Sequence, residues 1–262
     1  MIIIGERINA SRAPIQNALR AKDSLFIQQE VKAQLEHGAT YLDVNCGLSQ
    51  STEAGDMEWL VKTIREISDA PLCIDSPDPE VIEKGVLAAS GRPLINSITA
   101  EESRYKKILP IALERNCSII ALTMDKTGMP ETAEERFKIA EKIFRILKRE
   151  GVQDADIYFD PLVRPISSEP RQAEELLKAI PMIKTLGEVK ITCGVSNISY
   201  GLPSRKLVNS VFISMALSAG MDGALIDPLD KGMIASIRAT EALLGRDKYC
   251  MNYIKGHRKG YY

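Results

Sequence analysis

The chain has 262 residues, 45% apolar and 26% charged, with 34 Lys+Arg against 35 Asp+Glu and a formal net charge of −1. This profile excludes a disordered or fibrous chain, and the even charge balance argues against a nucleic-acid partner, which calls for a basic excess. No apolar run reaches the about 18 residues of a membrane span, and the opening MIIIGER is too short for the core of a secretory signal.

Short β-branched runs predict strands at 2–5, 41–46, 72–76, 94–98, 118–124, 157–162, 190–197 and 224–228. Their centres are continuously apolar, as in IIALTM and ALIDP, which suits strands covered on both faces. Amphipathic helices are expected between them. Trp59, Leu60, Ile64 and Ile67 form one stripe; Phe137, Ala140, Phe144 and Leu147 form another, with Gly151 as its stop. A helix over 170–186 carries Pro181, which should kink it. Gly38, Gly187 and Gly245 each sit where a helix would end. Eight strand–helix units with short links and no Ser/Gly-rich linker predict a (β/α)8 TIM barrel spanning 1–262 as a single domain. A doubly wound eight-stranded sheet is the competing architecture.

The barrel places chemistry at the C-terminal ends of its strands. There the chain puts Glu6, Arg7 and Asn9, then Asp43 and Asn45 at one parity, Asp75, Asn96, Thr123 and Asp125, Asp160, Ser196 and Asn197, and Asp227. Asp, Asn and Ser also cap helices and build turns. Asp78 and Ser204, just before predicted helices, are expected to be such caps. Asp75, Asn96, Asp160 and Asn197 instead follow their apolar runs directly. A mixed ring of carboxylates and amides can pair with the alternating donors and acceptors of a purine- or pterin-like edge.

Absences narrow the field. There is no GxGxxG and no GxxxxGK[ST]. His37 in LEHG and His257 in a basic tail are expected on the surface. The five cysteines at 46, 73, 117, 193 and 250 form no CxxC pair and read as reduced cytoplasmic thiols. Cys73 shares parity with Asp75, and Cys193 with Asn197, so both are expected inside the barrel. A zinc site from Cys46, Cys73 and Cys193 is conceivable, but small apolar filling is the preferred account. Asp43, Asp75, Asp160 and Asp227 could hold Mg²⁺ as in an enolase-like site; the asparagine partners fit a pterin better, and no metal site is expected. Lys190 opens its strand and Lys126 lies in a loop, so a Schiff-base lysine at a strand end is missing.

GERIN (5–9), LDVN (42–45), CIDS (73–76), INS (95–97), LTMDKTG (122–128), FDPL (159–162) and GVSNIS (194–199) occur in this order. SRKLVNSVF (204–212) and AGMDGALIDP (219–228) follow. Together they resemble the pterin-binding methyltransferases, a family that includes folate:corrinoid methyltransferases and the folate module of cobalamin-dependent methionine synthase. The resemblance covers essentially the whole chain. It implies a homodimeric TIM barrel that binds tetrahydrofolate or 5-methyltetrahydrofolate at the strand ends, with Asp75, Asn96 and Asp160 hydrogen-bonded to the pterin ring. Asn197 resembles the residue contacting N5, which bears the methyl group, and Asn197 and Asp75 are the catalytic candidates. Lys184, Gly194, Ser196 and Arg205 resemble further folate contacts. Where the acetogenic enzyme has a folate-contacting Gln, this chain has Tyr200 followed by Gly-Leu-Pro.

The resemblance further implies methyl transfer between N5 and a corrinoid, toward tetrahydrofolate in catabolic demethylation or toward a corrinoid/iron–sulfur protein in acetyl-CoA synthesis. The runs LEHGAT and KGHRKG lack the D-x-H-x-x-G cobalamin ligand context, so the cobalamin is expected on a separate corrinoid protein docked over the mouth. Loops 10–14 and 126–131 are expected to help, and the Tyr/Lys/Arg-rich tail is a further contact candidate, against which stands a solvated, frayed end. Dihydropteroate synthase is the rival enzyme; its Gly-rich Ser-Thr-Arg loop after strand two is absent from NCGLSQST (45–52). A folate-binding or docking module without turnover is the remaining alternative.

Overall fold

The computed structural model describes residues 1–47 and 51–262; the centre of the NCGLSQST stretch, 48–50, lies outside them. Strands β1 (Ile2–Asn9), β2 (Tyr41–Asn45), β3 (Leu72–Asp75), β4 (Leu94–Ile98), β5 (Ser118–Leu122), β6 (Ile157–Asp160), β7 (Lys190–Ile191) and β8 (Gly223–Ile226) alternate with helices. The helices are α1 (Ala13–Ala21), α2 (Ser24–Glu36), α3 (Glu53–Arg65), α4 (Pro79–Ala88), α5 (Glu102–Glu114), α6 (Ala133–Arg149), α7 (Gln172–Lys184), α8 (Arg205–Ala219), α9 (Lys231–Leu243) and α10 (Met251–Arg258).

All strand pairs are parallel, in the order β7-β6-β5-β4-β3-β2-β1-β8. Backbone bonds from Asp222 to the Ile191 carbonyl (3.0 Å) and from Leu225 to the Cys193 carbonyl (2.9 Å) bring β8 onto β7 and close the circle. The fold is therefore a (β/α)8 TIM barrel.

Alternation along each strand sorts side chains into two apolar layers. Ile4, Cys73, Leu94, Ile120 and Tyr158 fill the barrel, with Ile2, Tyr41, Leu122 and Leu225 against them. The larger layer lies between strands and helices and includes Ile3, Leu42, Val44, Ile74, Ile95, Ile119 and Phe159. Each such fully buried aliphatic contributes about 1.5–3 kcal/mol. Close helix–strand approach depends on small residues: a Cβ on Gly85 of α4 would stand 2.6 Å from Cγ2 of Ile74 on β3.

Several expectations need correcting. The run 190–197 is not one strand: β7 ends at Ile191 and a 3-10 turn, Val195–Ser199, carries Asn197. Cys193 consequently faces the outer layer, its Sγ 3.4 Å from Sδ of Met221. Cys46 also lies in that layer while Cys73 lies inside the barrel, so the three thiols do not converge. Asp78 caps α4, accepting from the Glu80 N–H at 2.9 Å, but Ser204 is left-handed (φ 50°) and makes no side-chain cap bond. Pro181 lies inside the continuous helix α7. Gly38 (φ 95°) and Gly245 (φ 70°) end their helices in the left-handed region; Gly187 is small because Asp154 and Phe144 crowd it.

Candidate active site

Six polar residues at the mouth stand two positions after an apolar residue of the barrel interior. Glu6 follows Ile4, Asp43 follows Tyr41, Asp75 follows Cys73, Asn96 follows Leu94, Asp160 follows Tyr158 and Asp227 follows Leu225. Parity alone thus turns these side chains inward, and Asn45 joins them above Asp43. The apolar run predicts a strand ending at Gly5, before Glu6, Arg7 and Asn9; all three lie within β1, which runs on to Asn9 beside β2.

Hydrogen bonds tie the ring together. Asn45 Nδ2 donates to Asp75 Oδ2 at 3.0 Å, and Asn96 Nδ2 donates to Asp43 Oδ1 at 3.3 Å. Ser196 Oγ donates to Glu6 Oε1 at 3.4 Å. Arg7 grips Glu30 through two bonds (2.6 and 2.9 Å) and donates to Asp227 at 2.9 Å. A cavity of about 250 Å³ opens beside them, lined by Glu6, Arg7, Asn9, Ser11, Arg12 and Asp227.

Burial sets the proton affinities. It pushes Asp160 up to about 7, against the Leu162 N–H (2.8 Å) and the nearby charge of Arg136. It pushes Asp75 up to about 6; the Asn45 amide and Arg104 oppose the rise, and Glu53 adds to it. Glu6 is raised by burial and then by Asp227. Asp43, 1% exposed, is held well above the carboxylate range by burial and then by the charge of Asp75. Carboxyl groups poised near neutrality can accept N–H donors when ionised and return a proton when not.

Two arginines, not singled out in the sequence, fix the surrounding loops. Arg104 donates to the carbonyls of Ser76 (3.2 Å), Pro77 (2.5 Å) and Ser97 (2.6 Å), joining the loops after β3 and β4. Arg136 is fully buried and donates to the carbonyls of Glu131, Pro161 and Leu162 and to Gln172 Oε1 (2.7 Å), joining the loops after β5 and β6. Arg136 had a signal: it falls on the apolar face that Ala133, Ala140 and Ile143 define on α6. Arg104 had none.

The turn Val195–Ser199 presents Asn197 at the rim, exposed, its amide without a hydrogen-bond partner among the described residues. Arg205 pins this turn, donating to the Ser196 carbonyl (2.6 Å) and to Ser199 Oγ (3.1 Å). Gly194 leaves room for Asn197: a Cβ there would lie 3.4 Å from Asn197 Nδ2. Tyr200, 67% exposed, carries Arg205 6.0 Å from its ring centroid. Asp75, Asn96, Asp160, Gly194, Ser196, Asn197 and Arg205 therefore share one end of the barrel.

Lys184 does not join them. It ends α7 at the opposite, closed end, 2.6 Å from Asp222 and bonded to the Val189 carbonyl at 2.9 Å. The C-terminal tail lies there too: Tyr261 donates to the Glu36 carbonyl at the end of α2, so the tail is tied down away from the mouth. His37 and His257 are half-exposed and exposed. Among the described residues no cluster of three or more His, Cys, Asp and Glu could hold a metal ion.

A mouth ringed by carboxylates and amides offers the acceptors and donors that a nitrogen heterocycle can meet. The model of the pterin binding enzyme family matches residues 5–227, and the chain belongs to that family. It is 36% identical over 264 aligned positions to a methylcorrinoid:tetrahydrofolate methyltransferase of Eubacterium limosum, covering 99% of this chain and 97% of the relative. It is 31% identical to a methionine synthase of Mycobacterium tuberculosis, over 86% of this chain and 20% of that much longer protein. The fold is shared with Yersinia pestis dihydropteroate synthase in complex with a sulfonamide drug (TM-score 0.74, 14% identity, 94% of each chain).

Proposed function

We propose that the chain is a methyltransferase that moves a methyl group from a methylated corrinoid protein to N5 of tetrahydrofolate. The observation that carries this is the mouth itself, whose pterin-suited ring of acceptors includes Asp75, Asn96 and Asp160. The near full-length likeness to a methylcorrinoid:tetrahydrofolate methyltransferase supports both the reaction and its direction.

The partner's corrinoid would supply a cobalt-bound methyl group and keep the electron pair of the broken cobalt–carbon bond, while the N5 lone pair of tetrahydrofolate takes the methyl and the N5 proton then leaves to solvent. Asp160, Asp75 and Asn96 hold and orient the ring with their oxygens facing its N–H groups. Asn197 stands at the rim, where its amide can orient N5 toward the incoming partner. An amide does not titrate, so Asn197 acts by direction and dipole rather than as an acid. Asp160 and Asp75, pushed up to about 7 and about 6, supply the negative potential that favours positive charge gathering on N5. Arg205 holds the Asn197 turn rigid. Lys184 has no part in this site.

The corrinoid protein docks over the mouth, where the 126–131 loop leaves Met129 55% exposed. Leu207, Val211 and Met215 form an exposed stripe on α8, flanked by Leu243 on α9, and we assign it to a homodimer contact. Met215→Glu should convert a dimer to a monomer in light scattering; a wild-type monomer sinks the assignment. No helix among the described residues is long and apolar enough to cross a membrane. All five cysteines are free and four are buried, which supports a reducing, cytoplasmic setting. We take 1–262 as one domain.

The test follows the corrinoid spectrum after mixing the protein with methylated corrinoid protein and tetrahydrofolate. The expected result is loss of the methyl–cobalt spectrum with formation of 5-methyltetrahydrofolate. No transfer in either direction overturns the assignment. Formation of dihydropteroate from a pterin pyrophosphate and 4-aminobenzoate would favour the synthase reading instead.

A further inference from the structure

Two residues of β2 brace the residues assigned to the ligand: Asp43, one inward-facing step below Asn96, and Asn45, level with Asp75. Asp43 is 1% exposed and accepts from Asn96 Nδ2 at 3.3 Å. Asn45 donates to Asp75 Oδ2 at 3.0 Å. The first bond passes over β3 from β2 to β4, and the second joins the neighbouring strands β2 and β3. Their effect on Asn96 and Asp75 is directional. With its nitrogen engaged by Asp43, Asn96 is left with Oδ1, which accepts no hydrogen bond among the described residues. With Oδ2 engaged by Asn45, Asp75 is left with Oδ1, likewise without a protein donor. Two acceptors therefore stand side by side on β3 and β4, whose Asp75 and Asn96 are register partners. Without Asp43, the Asn96 amide would be free to rotate and offer its nitrogen instead.

We propose that Asp43 and Asn45 are positioning residues that lock Asn96 and Asp75 as acceptors, and that this lock selects a reduced pterin ring over an oxidised one. The proposal rests on the folate reading and deepens it. Chemistry supplies the link. In a tetrahydropterin N8 carries a hydrogen and is a donor; in fully oxidised folic acid N8 is a bare acceptor. The other donors of the pyrimidine ring are common to both oxidation states, so N8 is seated on the paired oxygens of Asp75 and Asn96; a site that accepts from this N–H rejects the analogue that lacks it, because the half-buried acceptors are then left facing an acceptor.

The experiment measures the dissociation constants of tetrahydrofolate and folic acid by anaerobic calorimetry, for wild type and for Asp43→Leu, whose side chain keeps the branched shape without an acceptor. Wild type should prefer tetrahydrofolate. In Asp43→Leu that preference should fall by about tenfold, as expected for one misdirected hydrogen bond, chiefly through weaker tetrahydrofolate binding. A purely structural role would weaken both ligands by the same factor, and an unchanged ratio overturns the proposal. Should Asp43→Leu not fold, Asn45→Leu carries the same test in a half-buried position: Asp75 then protonates more readily and becomes a donor, again lowering the ratio. If wild type binds neither ligand, the folate reading itself fails and takes this proposal with it. A wild type that binds and discriminates beside variants that discriminate equally well removes only the positioning role.

Discussion

The two ends of the barrel carry charge in opposite ways. At the closed end several charges face their complements: Lys184 meets Asp222, the Met1 ammonium meets Glu241, and Arg238 meets Glu241 at 3.3 Å. At the mouth, Glu6, Asp43, Asp75, Asp160 and Asp227 crowd together, and burial raises the proton affinity of four of them. Paired charges secure a fold; like charges gathered in a partly buried ring cost stability and are tolerated where a ligand uses them. The contrast assigns stability to one end and chemistry to the other.

The sharpest way to break that contrast is to remove the device that keeps the mouth in shape. Arg136→Ala leaves Gln172 and several loop carbonyls without their donor in a buried site. It should cost about 3–5 kcal/mol, on the scale of several buried neutral acceptors left without a donor together with the lost side-chain packing, read as a lower denaturant midpoint in urea unfolding. A loss under about 1 kcal/mol would mean that water replaces the guanidinium and that the mouth loops support themselves. Next in size is Asn197→Ala. Removing one preorganised dipole at the reacting atom should lower kcat/KM for methyl transfer by about 10²–10³-fold with an unchanged midpoint. Unchanged turnover would strip the rim turn of its role.

That rim turn also marks where sequence and structure part. Strand positions, the inward parity of Asp75, Asn96 and Asp160, and the polar ring were all legible, because a period of two in apolar runs reports the face of a strand directly. The run KITCGVSN (190–197) reads as a strand by the same rule, yet the strand stops at Ile191 and the chain curls into a 3-10 turn. The cause is tertiary: Arg205, from the next helix, takes the Ser196 carbonyl and Ser199 Oγ. Local periodicity holds no record of such a clamp. Lys184 failed for a related reason. A helix that begins at the mouth ends at the closed end, and a residue in its last turn cannot reach the strand ends.

A third prediction follows from the raised carboxyl groups. For a group whose proton affinity is higher in the folded state, stability is complete below the unfolded value and is lost as pH rises through the folded value. Asp75 (about 6) and Asp160 (about 7), with Glu6 and Asp43 shifted the same way, therefore stabilise the ligand-free protein more at pH 5.5 than at pH 8. Asp125, Glu135 and Asp154 are shifted downward, so their contribution is already complete above about pH 5 and adds no slope here. Thermal unfolding should show a fall of a few degrees across this range, flattened in Asp160→Asn. Tetrahydrofolate binding should run the other way, because the ionised oxygens are the acceptors. Parallel slopes for stability and binding would show that the ring carboxyls are not what grips the ligand.

The smallest effect tests the closed end. Lys184 and Asp222 are each about one-third exposed (32% and 32%), so their ion pair is worth about 1 kcal/mol or less. Asp222 Oδ2 also accepts from the Ile191 N–H at 2.7 Å, so the carboxylate keeps a partner when the lysine goes. Lys184→Ala should therefore lower the urea midpoint slightly, and less at high salt, where the pair is already screened. Tetrahydrofolate affinity should not move, since a barrel's length of packed side chains separates this pair from the mouth. A several-fold loss of affinity with an unchanged midpoint would be the more instructive result. It would mean that charge at the closed end is felt by the ligand, and that the division of labour between the two ends is a matter of degree set by long-range potential rather than by contact.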